Sequence, residues 1–336
     1  MKSFVTFGEI MLRLTPQEAL QPLVDASALK MGFAGAESNV AVSLAIQGNR
    51  VSYITALPDS PLGQAAINSL RKWGVLTHSI LRQGERIGTY FIEQGASLIP
   101  YKVHYDRKYS AIQMIDKNTF NWPELLKGQD YLFLSGITPS LSTNCAHEVM
   151  QATRSARQAG TKVCFDLNFR RTLWKDMKQA KAVYREIIKN TDIVIGNEGA
   201  VDDIFDFSSA KKSQQARAEE LMLRLNGEFG TKTIAFTLRD ASSNSRQKLS
   251  GILFKDHNFY PTRTYDIEIM ERIGGGDAFA AALLHTLANK WEPEKAIEYA
   301  SAAFALKHSI PGDLNLSTTE EILEVIENKS FGFVKR

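Results

Sequence analysis

The residues best equipped for chemistry stand near the C-terminal end, in Ile273-Gly274-Gly275-Gly276-Asp277-Ala278-Phe279-Ala280-Ala281-Ala282-Leu283-Leu284. Three glycines lead into an apolar, alanine-rich run that reads as a buried helix. Glycine lets the backbone turn tightly and lets it approach a ligand with no Cβ between them. The first N–H groups of a helix lack intrahelical partners and lie at the positive end of its dipole, so an anion such as a phosphate finds donors there. Asp277 is the odd residue, since a fixed carboxylate repels that anion. The conflict resolves if the phosphoryl group is in transit and the carboxylate takes the proton of the hydroxyl that attacks it. A plainer reading makes Asp277 a helix cap and the glycines a loop, because Asp is favoured at helix starts.

Other polar clusters follow apolar runs that read as strands. They are Gly35-Ala36-Glu37-Ser38-Asn39, Asp166-Leu167-Asn168-Phe169-Arg170-Arg171, Asn197-Glu198 and Thr237-Leu238-Arg239. In open α/β sheets ligands bind at the carboxyl ends of the strands, so these clusters and the glycine stretch share one expected ligand edge. There is no GxxxxGK[ST], and Gly32-Phe33-Ala34-Gly35-Ala36-Glu37 lacks the spacing of a dinucleotide fingerprint. Arg107 and Arg170 are expected to face one crevice, and Arg offers a planar fork suited to carboxylate or phosphate. Each has an alternative as a structural ion pair with a local acid such as Asp106 or Asp166. Tyr90 and Tyr105 either contact a ligand or pack with their neighbours. His104, His257 and His308 show no metal-ligand spacing and read as incidental; no metal-ligating set is expected.

These residues must be positioned by an alternating chain. Residues 3–14 read as one strand ending at Thr15-Pro16, 23–33 as a less regular stretch, 37–47 as a helix, 51–57 as a strand and 63–73 as a helix. Residues 87–107 alternate, with aromatic Tyr90, Phe91, Tyr101 and Tyr105 and a Gly95-Ala96-Ser97 turn, which is a hairpin pattern. Strands at 131–137, 162–167, 192–195 and 233–238 then alternate with helices at 142–159, 178–189 and 214–226. Two strand-like runs follow within 249–263, then helices at 277–290, 293–308 and 318–327. The pattern predicts an α/β fold: a doubly wound, mostly parallel sheet flanked by helices. A single domain over 1–336 is expected, with a small discontinuous β lid from about 10–35 and 85–110 that closes a site.

At 336 residues, with 40 Lys plus Arg against 37 Asp plus Glu and no basic block, nothing calls for nucleic acid or a membrane surface. Cys145 and Cys164 are too few for a disulfide framework, no apolar run reaches membrane-spanning length, and the N-terminus lacks a signal-peptide layout. A cytoplasmic protein is expected.

Over essentially its whole length the sequence resembles the ribokinase-like (PfkB) carbohydrate kinases, and within them the branch acting on 2-keto-3-deoxygluconate. Glu271-Arg272-Ile273-Gly274-Gly275-Gly276-Asp277 matches the family's G-x-G-D core, with Glu271 in place of a leading Asp. The resemblance implies a ribokinase-like fold, Asp277 as catalytic base and Gly274, Gly275 and Gly276 as anion hole. It implies substrate contacts at Gly35, Ala36, Asn39, Tyr90, Tyr105, Arg107, Arg170 and, in Lys307-His308-Ser309-Ile310-Pro311-Gly312-Asp313, at Asp313. Asn168, Asn197, Thr237 and Arg239 fall in the nucleotide half. The family's N-x-x-E reads Asn197-Glu198-Gly199-Ala200 here, which leaves the Mg²⁺-organising Glu without a direct counterpart. The activity implied is ATP-dependent phosphorylation of the terminal hydroxyl of 2-keto-3-deoxygluconate, with Mg²⁺ on the nucleotide. A kinase for a neutral sugar such as fructose or ribose, or a silent sugar or nucleotide sensor, are the alternatives. Exposed lid strands that pair across a two-fold axis would make a homodimer.

Overall fold

The apolar runs are realised as two sheets in the computed structural model, which describes residues 1–96, 98–240 and 246–327. Ser97 of the expected turn lies outside the described residues. The elements are β1 (Ser3–Phe7), β2 (Met11–Pro16), β3 (Leu29–Ala34), α1 (Ala36–Ile46), β4 (Arg50–Leu57), α2 (Pro61–Arg71), β5 (Ile80–Arg82), β6 (Thr89–Glu93), β7 (Lys102–Asp106) and the short α3 (Trp122–Leu125). The chain continues through β8 (Tyr131–Ser135), α4 (Thr143–Ala159), β9 (Lys162–Asp166), α5 (Met177–Ile188), β10 (Ile193–Gly196), α6 (Glu198–Phe205) and α7 (Gln214–Phe229). Last come β11 (Thr233–Asp240), β12 (Arg246–Lys255), β13 (Asn258–Pro261), β14 (Tyr265–Glu268), α8 (Gly275–Ala288), α9 (Pro293–Lys307) and α10 (Thr319–Ile326).

The main sheet has the order β13-β12-β11-β10-β9-β8-β1-β4-β5, with β14 also paired to β12. From β5 to β11 every neighbouring pair is parallel, and β12 to β14 close one side antiparallel. The chain winds outward from β1 in both directions, to β4 on one side and β8 on the other. The crevice at the carboxyl ends of these strands is where such sheets take ligands. Residues buried on both faces explain runs such as Tyr131-Leu132-Phe133-Leu134-Ser135, in which every side chain is buried. One apolar layer takes in Val40 of α1, Ile67 of α2, Leu283 of α8, Phe304 of α9 and Ile322 of α10. The opposite layer takes in Val149 of α4, Tyr184 of α5, Val201 of α6 and Leu221 of α7. Helix α8 is apolar almost all round, as a helix enclosed by others must be.

The second sheet, of order β3-β2-β6-β7, draws on both early segments. Its strands β2 and β6 are parallel, and the outer pairs are antiparallel. The run at 3–14, expected as one strand, is therefore two strands in different sheets, broken at Gly8-Glu9-Ile10. Met11 and Leu12 are buried, as are Phe4 and Val5, so the apolar run alone does not disclose the change of sheet. Residues 29–34, expected to be less regular, form the edge strand β3 in register with β2 (Met11 opposite Ala34). Met11, Ala34, Tyr90 and Ile92 make a small core of their own, and Ile273 packs against it just before the glycines.

Candidate active site

Helix α8 begins at Gly275, two residues before the expected Asp277, and Gly274 precedes it in the left-handed region with φ of 84°. A Cβ on Gly274 would lie 1.9 Å from the Asp313 carbonyl oxygen, so no larger residue fits. At Gly275 the added carbon would lie 2.5 Å from Cε1 of His308. His308, expected to be incidental, is thus the buried floor of the turn. Its Nδ1 lies 2.7 Å from the Phe304 carbonyl, and burial lowers its pKa to about 4, which keeps the ring neutral. At Gly276 a Cβ would meet nothing within 4 Å, for this residue faces the cleft. The first α8 hydrogen bond runs from Ala278 N–H to Gly274 O at 2.9 Å. The N–H groups of Gly275, Gly276 and Asp277 therefore have no intrahelical acceptor.

Asp277 opens into the cleft from the first turn of α8. Its Oδ2 accepts from Asn39 Nδ2 at 2.7 Å, and Asn39 Oδ1 in turn accepts from Gly35 N–H at 3.3 Å. Burial raises the Asp277 pKa to about 8 against the Asn39 hydrogen bond, with help from the charges of Asp166, Asp313 and Glu37. Asp166, at the end of β9, is lifted to about 7, chiefly by burial. Glu37 is buried at the start of α1 and accepts from Ser135 Oγ at 2.8 Å and Thr138 Oγ1 at 2.6 Å, with a pKa raised by burial. Carboxyl groups crowded under one cleft cannot all stay ionised cheaply, and a proton acceptor poised near neutrality is the outcome.

The small sheet reaches this turn through polar contacts. Tyr90 on β6 is buried and donates to Asp313 Oδ2 at 2.6 Å. Arg13 on β2 donates to both Asp313 Oδ1 and Glu271 Oε2. Burial opposes the Arg13 charge, but the two acids outweigh it and raise its pKa. Lys307 is fully buried, donates to the carbonyls of Ile310 at 2.9 Å and Gly312 at 2.7 Å, and is lowered by burial to about 8.

Arg107 lines the cleft, but its ion pair differs from the one expected of a local acid. Asp106 pairs with Arg86, whereas Arg107 donates to Glu9 Oε2 from Nε at 2.8 Å and also from Nη2. Tyr105 stacks on Tyr90 with ring centroids 6.0 Å apart, lies 5.4 Å from the Arg107 guanidinium, and keeps 55% of its surface exposed. Arg170 is exposed at the cleft and donates to the Phe169 carbonyl at 3.0 Å; among the described residues it has no ion pair with Asp166 or another acid. Asn168 takes a positive φ of 29°, tied to Asp166 Oδ1 through its N–H at 3.1 Å. On the far side Asn197 caps α6 by accepting from Ala200 N–H at 3.0 Å. Thr237 stands near the end of β11, and Arg239 lies 5.5 Å from the Phe304 ring.

All sixteen residues singled out from the sequence, from Gly35 and Ala36 to Asp313, stand around one cavity of about 890 Å³. The model of the pfkB family carbohydrate kinases matches residues 1–319 of the chain. The chain belongs to the pfkB family of carbohydrate kinases. It is a phosphotransferase with an alcohol group as acceptor. A crystal structure of 2-dehydro-3-deoxygluconokinase from Thermotoga maritima is 36% identical and superposes with a TM-score of 0.94 over 97% of this chain and 98% of that one. A PfkB family carbohydrate kinase from Listeria grayi is 33% identical, with a TM-score of 0.90 over 96% and 99% of the two chains. The 2-dehydro-3-deoxygalactonokinase of Haloferax volcanii is 30% identical over 98% of each chain.

In this pfkB kinase the residues suit a nucleotide. Three N–H groups at α8, without an acceptor among the described residues, line a cleft that Gly276 leaves open. The buried Oε1 of Glu198 has no hydrogen-bond partner among the described residues, although Oε2 accepts from Arg217 Nε at 2.8 Å. Among those residues no group of three or more His, Cys, Asp or Glu could hold a metal ion by itself. Four participants escaped the sequence reading: Glu9, Arg13, Lys307 and His308. Each acts through a partner distant in sequence or through the protein interior, and no local spacing marks such a role.

Proposed function

We propose that this kinase transfers the γ-phosphoryl group of ATP to the terminal hydroxyl of 2-keto-3-deoxygluconate. The observation that carries the reading is the Asp277 carboxylate, held by Asn39 at 2.7 Å and raised by burial to about 8, beside the free N–H groups of α8. The hydroxyl oxygen forms a bond to the γ-phosphorus, its proton passes to Asp277, and the bond to the bridging oxygen breaks to leave ADP. The N–H groups of Gly275 to Asp277 stabilise the charge that develops on the transferred group. Mg²⁺, carried in on the phosphate oxygens, would neutralise part of their charge. Arg239, Thr237 and Asn197 border the nucleotide half, and Asn168 stands between the halves.

Arg170, which forms no close salt bridge among the described residues, supplies a cation for the acid group, and Arg107 supplies directed donors, flanked by Tyr90 and Tyr105. The acid preference is further supported by relatives named for two C4-epimeric sugar acids. The pairing of Arg107 with Glu9 favours a second reading, a neutral sugar such as fructose or ribose, because that pair carries no net charge. ADP release measured with 2-keto-3-deoxygluconate, its C4 epimer, fructose and ribose separates them. The highest kcat/KM is expected for 2-keto-3-deoxygluconate, and a faster neutral sugar would overturn the acid reading. We further propose a homodimer through the small sheet and, from the two free cysteines, a place in the reducing cytoplasm.

A further inference from the structure

Arg13 is buried, and its fork spans two acids that belong to different segments. Nη2 donates to Glu271 Oε2 at 2.8 Å, and Nη1 donates to Asp313 Oδ1. Both acids lead on to the glycine turn. Glu271 Oε1 accepts the backbone N–H of Arg272 at 3.1 Å and of Ile273 at 3.4 Å, the two residues that enter Gly274. The Asp313 carbonyl lies directly against Gly274, and Lys307 holds the segment before it through Ile310 and Gly312. Tyr101, just before β7 and packed against the small sheet's core, adds a bond to the Met270 carbonyl at 2.9 Å.

A buried cation with two buried acids is a poor way to gain stability, because desolvation consumes most of the attraction. Its value lies in geometry, since a planar fork fixes two acceptors at once and an ammonium does not. We propose that Arg13 is a positioning residue for phosphoryl transfer: through Glu271 and Asp313 it sets the glycine turn according to where the small sheet stands. The inference rests on the reading of Gly274–Asp277 as the site of the transferred group.

The test compares Arg13→Lys with the double variant Arg13→Met/Glu271→Leu, using ATP and the fastest acceptor found. Arg13→Lys should lower kcat by ~10- to 100-fold, the scale of a small misplacement at a reacting centre, while KM for ATP moves by less than about threefold. The double variant replaces the Arg13–Glu271 pair by apolar side chains but leaves Asp313 buried with the Tyr90 hydroxyl and no guanidinium, so its Tm should fall less than that of Arg13→Met alone while kcat remains at least ~10-fold low. Recovery of kcat together with Tm, or Arg13→Lys turning over within about twofold of the parent, would reduce Arg13 to a structural role. If the double variant does not fold, Arg13→Lys decides. Normal turnover by Asp277→Asn would instead remove the turn itself from the chemistry, an outcome distinct from a failure of Arg13 alone.

Discussion

A methyl group placed on Gly276 would point into the open cleft, whereas on Gly274 it would strike the Asp313 carbonyl in a backbone of φ 84°. The first change should leave folding intact and the second should not. Gly276→Ala is expected to unfold within a few degrees of the parent yet lose ~100-fold or more in kcat/KM, because the added carbon would stand where the proposed transfer site takes the phosphoryl oxygens. Gly274→Ala should cost at least about 2 kcal/mol in denaturant unfolding, from left-handed strain and overpacking together. Equal effects in the two variants would contradict the assignment of Gly276 to the ligand. Asp277→Asn should lower kcat by ~10²- to 10⁴-fold while ATP binding persists. For the parent, kcat/KM should climb with pH, bend near 8 where half of Asp277 is a free base, and level off above that. The stability effect has the opposite sign. The folded chain keeps the Asp277 proton up to about pH 8, and the unfolded chain loses it near the ordinary value of 3.8. Between those limits the folded state binds the extra proton, so its stability falls as pH rises. Asp277→Asn should therefore stabilise the protein at pH 8, on the order of 2 kcal/mol once exposure to the cleft is allowed for, and should do little near pH 4. A thermal shift that is the same at both pH values would refute this.

At the scale of elements, the small sheet hangs on side chains that link residues far apart. Arg13 reaches partners 258 and 300 positions away, and Arg107 reaches one 98 positions away. This divides what was legible in the sequence from what was not. Asn39, Asp166, Asn197 and Asp277 end strands or begin helices, and capping residues, strand ends and glycines leave local marks. The break between β1 and β2 leaves none, because both strands bury apolar side chains. Strand β5, of three residues, and β14, of four, are too short to show a period. Glu9 and Arg13 look like surface charges until the sheets are assembled. The two candidate acid-binding arginines should consequently behave differently. Arg170→Ala should raise KM for the sugar acid ~10-fold or more with little loss of stability, since it forms no close salt bridge among the described residues and its charge acts on Asp166 only at longer range. Arg107→Ala should raise the same KM and also destabilise by ~3 kcal/mol, because Glu9 is left buried without its cation. If Arg107→Ala unfolds at the parent's denaturant midpoint, the Glu9 pair has no structural weight.

At the scale of the whole molecule, the small sheet has two strand edges, β3 and β7, that are unpaired among the described residues, and they differ in character. Along β7 the outward residues include Lys102, His104 and Asp106, the charged pattern that discourages strand pairing. Beside and along β3 the surface is apolar apart from the exposed Lys30: Val24 is 90% exposed, Met31 59%, Leu20 47% and Leu29 39%. Such side chains gain about 25 cal/mol for every Å² they withdraw from water, and an unprotected edge offers backbone donors and acceptors as well. A second copy of the same edge, related by a two-fold axis, would meet both needs at once. Light scattering during gel filtration should give about twice the 37.5 kDa chain mass, and Leu29→Lys/Met31→Lys should return it to one chain. The double variant should stay folded, because both side chains face outward. Since β3 runs directly into Gly35 and α1, which carries Asn39 to Asp277, loss of the partner should also lower kcat, by about two- to tenfold. A parent that runs as a single chain at micromolar concentration would show that this edge stays unpaired, and the apolar surface beside β3 would then need another explanation.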